Sequence, residues 1–148
     1  MKLSQYLTVA GFSILTACQP QENKNTESKL SSSTKQTCYS YTKNRDTATL
    51  MLITSGRVVT GELIYQLFEK DSNNGIIKGE MRGDTLVAEY KFNSEGKEST
   101  RQVAFLKRDG KLIEGYGEIT EKDNKVIFND ISTLKFGDAI EFTEVNCK

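Results

Sequence analysis

The side chains that most often do chemistry are scarce in this 148-residue chain, which has no histidine, three cysteines and one proline. Without histidine the commonest general base and the commonest metal ligand are both missing, so Ser-His-Asp, Cys-His and HExxH sites are excluded. Cys18, Cys38 and Cys147 lie too far apart in sequence for a compact zinc motif. No glycine-rich loop carries the lysine of a phosphate-binding turn. The residues therefore predict no metal, no cofactor and no enzymatic activity.

Three polar stretches remain. EKDSNNG, from Glu69 to Gly75, offers oxygen ligands, but counting from Asp71 puts the glycine fifth rather than sixth, and Arg82 stands where a calcium loop needs glutamate. A solvated hairpin loop accounts for it, and Arg82-Gly83-Asp84 is accounted for by the hairpin it would close. YKFNSEGKESTRQVAF, from Tyr90 to Phe105, is the most unusual stretch, because a strand with paired aromatics enters a polar loop and leaves through Arg101. Ser94, Glu95, Ser99 and Arg101 are the candidate polar site, at the mouth of whatever fold holds them. The simpler expectation is that Arg101 pairs with Glu95 or Glu98 at the surface, which adds little stability.

The elements that must position these groups are strands. In RVVTGELIYQLFE, Val59, Gly61, Leu63, Tyr65 and Leu67 fall on one face and Thr60, Glu62, Ile64 and Gln66 on the other; TLVAEYKF repeats the pattern with Leu86, Ala88, Tyr90 and Phe92. Period-two alternation marks half-buried antiparallel strands. Turn signals separate them at Ser55-Gly56, Asp71 to Gly75, Gly83-Asp84, Asn93 to Ser99, Asp109-Gly110, Glu121 to Lys125 and Phe136 to Asp138. Asp-Gly suits a type I′ hairpin and Gly-Asp a type II′ hairpin.

About eight strands result, near residues 38–43, 46–54, 57–68, 76–82, 85–92, 101–107, 111–119 and 126–146, the last broken at Gly137. The expected fold is all-β, a single antiparallel meander closing into a small lipocalin-like up-and-down barrel, with a two-sheet sandwich as the alternative. Gly61, Gly79, Gly115 and Gly117 fall inside these strands, where they would ease bending or make room for Tyr65, Tyr90, Phe92 or Phe105. Alternatively they leave space for a small apolar ligand, lined by Tyr65, Ala88, Tyr90 and Gly115.

The first forty residues decide location. Lys2 precedes an apolar run from Tyr6 to Ala17, and Leu15, Thr16 and Ala17 lead directly into Cys18. A run of roughly 12 residues is too short for a bilayer-spanning helix and suits a secretory leader. The order of charge, apolar run, small residues and cysteine resembles the lipobox of bacterial lipoproteins. That resemblance covers residues 1–18 and implies a signal peptide at 1–17 and acylation of Cys18. Two or more acyl chains hold a protein on a membrane stably. Gln19 following the cysteine, rather than aspartate, favours the outer membrane. The remainder is similar in flavour to small uncharacterised lipoproteins of Bacteroidota, which implies no activity.

Residues 18–36 are the lipidated start and a polar tether unable to bury enough surface to order itself, and 37–148 form the β domain. Lipidation accounts for the odd cysteine. Export to an oxidising compartment then predicts a Cys38–Cys147 disulfide around a loop of about 110 residues, drawing the first and last strands together. Removing residues 1–17 takes away one lysine, leaving 19 basic and 20 acidic side chains. That balance gives counterion release little to work with, so no nucleic-acid partner is expected. The expected role is a cell-envelope interaction module contacting a protein or polysaccharide, or else a carrier of a small apolar ligand.

Overall fold

Alternating apolar residues oblige each strand to bury one face, and short turns oblige sequential strands to pair. The computed structural model, which describes residues 33–148, follows from both. Its strands are β1 (Thr34–Lys43), β2 (Asp46–Ser55), β3 (Val58–Gln66), β4 (Asn73–Arg82), β5 (Thr85–Ser94), β6 (Lys97–Arg108), β7 (Lys111–Tyr116), β8 (Ile119–Lys122), β9 (Lys125–Phe128) and β10 (Lys135–Val145). One 3-10 turn, Ile131–Thr133, precedes β10. From β1 to β7 each strand pairs antiparallel with the next; β7 then pairs with β10, and β10 with β1. Eight strands thus close an up-and-down barrel rather than a sandwich. The β8–β9 hairpin stands outside the ring, joined to it where β9 runs parallel to Thr100 and Arg101 of β6.

The turns explain the closure. Asp109 and Gly110 both have positive φ, at 52° and 75°, as a type I′ turn requires, whereas at Gly83-Asp84 only Gly83 does, at 61°. The near end of the barrel, where β1 begins, holds the β2–β3, β4–β5 and β6–β7 turns. The far end holds the β1–β2, β3–β4 and β5–β6 connections together with the β8–β9 hairpin.

Inward positions build one core containing Leu50, Leu63, Ile77, Leu86, Tyr90 and Phe105, all essentially without solvent exposure. Phe142 of β10 meets Phe105 edge-on, with ring centroids 5.8 Å apart. The Cys38 and Cys147 sulfurs are at disulfide distance, with Cα atoms 5.2 Å apart, and so tie β1 to the tail after β10.

Several boundaries differ from the sequence expectation. The first strand starts at Thr34, within the stretch assigned to the tether. The seventh ends at Tyr116, leaving Gly117 outside any strand, because Asp123 and Asn124, at φ 52° and 58°, pinch the following residues into their own hairpin. The expected eighth strand is consequently divided between β9 and β10. Its break falls before Lys135, while Gly137, at φ 131°, marks a register shift within β10. The polar loop expected at 93–99 is a two-residue turn, Glu95-Gly96, with φ of 48° and 76°. Cys18, the leader and the tether up to residue 32 lie outside the described residues.

Candidate functional site

Along β6 the inward positions are Phe105, Val103 and Arg101, so the same alternation that buries the phenylalanine carries a guanidinium into the far end of the barrel. On β7, Leu112 points inward, and Glu114 two residues later does the same. Tyr65 of β3 and Tyr90 and Phe92 of β5 supply aromatic rings at this level. The Arg101 guanidinium carbon lies 5.4 Å from the Tyr65 centroid, 5.5 Å from Tyr90 and 5.4 Å from Phe92. Cation–π attraction of this kind strengthens as water is excluded. The rings support one another: Tyr90 and Phe92 stack with centroids 4.7 Å apart, and Tyr65 meets Tyr90 edge-on at 6.0 Å.

The tyrosine hydroxyls are spoken for. Tyr90 donates to the Leu63 carbonyl at 2.8 Å, and Tyr65 donates to Glu114 Oε1 at 2.8 Å. Arg101 is not: its Nε is buried without a hydrogen-bond partner, and it forms no ion pair among the described residues. A buried donor left unmade costs about 1–3 kcal/mol, more when the group is charged. Burial pushes the Glu114 carboxyl above its ordinary 4.5, against the Tyr65 hydrogen bond and the Arg101 charge, both of which pull it down. Burial likewise lifts Tyr90 to about 12, with Arg101 opposing and Glu114 adding, and lifts Tyr65 well above its ordinary value.

A gap in the barrel wall gives access to this group. β6 pairs with β7 only from Ala104 to Arg108, and with β9 at Thr100 and Arg101. Between those ladders, Gln102 turns its side chain to accept the Phe128 N–H at 3.1 Å. Where β7 ends and β9 has not taken over, a cleft of about 560 Å³ opens. Phe92, Val103, Ile119, Val126 and Phe128 give it apolar walls, and Ser99, Arg101 and Glu114 face it as polar groups. The arrangement can hold an acceptor against Arg101 beneath an apolar cover.

The structure places the sequence candidates unequally. Ser99 and Arg101 share the cleft, whereas Ser94 ends β5 and Glu95 sits in the turn. The expected surface pairing of Arg101 with Glu95 or Glu98 does not form; Glu98 pairs with Lys91 at 3.0 Å, because Arg101 points inward and the lysine outward. Tyr65, Ala88 and Tyr90 belong to the packed interior. Gly115 faces the outside of the barrel, where the Phe136 ring occupies the place a β-carbon would take. The ring opposite this glycine is therefore Phe136 and none of the four expected; Gly115 faces away from the barrel interior but is among the residues lining the wall cleft. Val87 and Ala104 continue the same outward row across β5 and β6, and both are buried. Glu114 was missed by the sequence reading; only its parity with Leu112 could have revealed it.

No family model, no curated protein and no solved structure matches this chain.

Proposed function

We propose that this chain is a lipid-anchored lipoprotein of the bacterial cell envelope, placed in the outer membrane through acylated Cys18, and that its barrel is a binding module rather than an enzyme. The lipobox-like run ending at Cys18 supports the anchor, and the Cys38–Cys147 pair suits an oxidising compartment. The observation that carries the binding role is the open stretch of wall between β6 and β7, which leaves Arg101 unsatisfied beside a cleft of about 560 Å³. Pockets of this size ordinarily take small ligands or protruding groups of a partner. The barrel centre is filled by Tyr90, Phe105 and Phe142, which favours the wall cleft over an enclosed apolar cavity as the contact site.

The test is crosslinking in the native membrane. A photoreactive residue replaces Ile119, 59 % exposed on the cleft rim, or Val58, 55 % exposed on β3, three strands from β6 around the barrel. A discrete adduct from position 119 and none from 58 is expected, together with acyl mass on Cys18. Equal labelling from both positions, or an unmodified Cys18, overturns the corresponding half of the proposal.

A further inference from the structure

Arg101 also indicates what kind of ligand the cleft takes, an inference that rests on the binding role just proposed. The rings of Tyr65, Tyr90 and Phe92 hold the guanidinium but offer no acceptor to its N–H groups. The nearest inward carboxylate, Glu114, is engaged with the Tyr65 hydroxyl and makes no ion pair with Arg101. A planar fork of donors is thus preorganised at the base of an opening, and a carboxylate is the group whose two oxygens match it. Glu114 on the same cleft wall works against a second negative charge, so a dianionic phosphate fits less well than a monoanion. Along the cleft, Phe92 and Val126 are part-buried and Ile119 is exposed, surface that an apolar or aromatic body would cover.

We infer that the cleft binds a small organic carboxylate with an apolar or aromatic body, its carboxylate received by Arg101 and its body lying between the β6 wall and the β8–β9 hairpin. This ligand class follows from one unsatisfied donor set, one nearby negative charge and one apolar cover.

Hydrocinnamate is a suitable probe, with hydrocinnamyl alcohol as its uncharged counterpart and phenyl phosphate as the dianion. The full chain is titrated near neutral pH, where hydrocinnamate is a monoanion and phenyl phosphate, with a second pKa of about 6, is mostly the dianion, while the Arg101 Nε–H signal is followed in a nitrogen–proton correlation spectrum. Hydrocinnamate is expected to move that signal saturably and to bind at least about tenfold more tightly than the alcohol, the scale of one hydrogen bond to a charged group. Arg101→Met should abolish binding. Because that variant could also disturb the core, Ile119→Glu on the exposed rim serves as the second: loss of the apolar contact should weaken both probes, and the added negative charge should weaken hydrocinnamate several-fold more than the alcohol. Absence of a saturable shift, equal affinity for acid and alcohol, or tighter binding of phenyl phosphate overturns the inference. Each of these results leaves the membrane crosslinks from position 119 untouched, so the ligand class and the binding role fail separately.

Discussion

The two ends of one barrel are built to different specifications. Near the start of β1, the inward residues are Leu52, Val59, Leu86, Phe105 and Leu112, all buried hydrocarbon, and each pair of strands is closed by a two-residue turn. At the far end the same inward positions carry Tyr65, Tyr90, Arg101 and Glu114, and the wall opens where β6 changes partner from β7 to β9. Hydrocarbon packing stabilises the fold without directional demands. Buried polar groups demand partners, and one of them lacks its own. The near end is closed by hydrocarbon packing, while the far end buries a donor without a partner at some cost in stability.

This contrast makes the largest expected losses fall away from the cleft. Replacing Cys38 and Cys147 with serine releases a loop spanning 109 residues of sequence separation, worth about 4–5 kcal/mol in the chain-entropy account. Denaturant unfolding should show a correspondingly lower midpoint, and an unchanged midpoint would mean that the pair does not constrain the unfolded chain. Phe105→Ala should cost about 3–5 kcal/mol, because a fully buried ring is removed and the closely packed Phe142 cannot collapse into the void. If Phe105→Ala cost no more than a substitution at the cleft, the assignment of stability to the near end would be broken.

The near end is also the part that could be read from sequence. Alternation in β3 and β5 and the Asp109-Gly110 and Gly83-Asp84 dipeptides are local signals, and local signals specify neighbouring strands. The far end depends on facts that adjacent residues do not carry. Leu112 and Ile113 are both apolar and both buried, one on each side of the sheet, so the facing of β7 could not be decided and Gly115 was placed inside where Glu114 belongs. Asp123 and Asn124 gave a turn signal, and the strand after it does pair with β8, but its second partner is β6, more than twenty residues earlier and parallel, which no hairpin rule anticipates. Arg101 was legible as unusual. Its inward direction follows from continuing the Phe105, Val103 alternation back to the residue at which the expected strand begins.

The smallest effect carries the sharpest sign. Glu114→Gln keeps an oxygen to accept the Tyr65 hydroxyl and removes only the capacity to ionise. Since burial raises the folded carboxyl above 4.5, the native state binds more protons than the unfolded chain from that value upward until the raised one is passed. Wild-type stability should therefore decline as pH rises through this window and stay lower above it, the reverse of a carboxylate held by a salt bridge. The glutamine variant lacks that decline, so the two proteins should be equally stable below about pH 4 and separate in favour of the variant by neutral pH. Denaturant midpoints measured across that range decide the matter. A variant weaker than wild type at neutral pH would mean that attraction between Glu114 and Arg101 exceeds the cost of burying the carboxylate. The guanidinium would then already have its counter-ion, and the far end would be one more piece of scaffold.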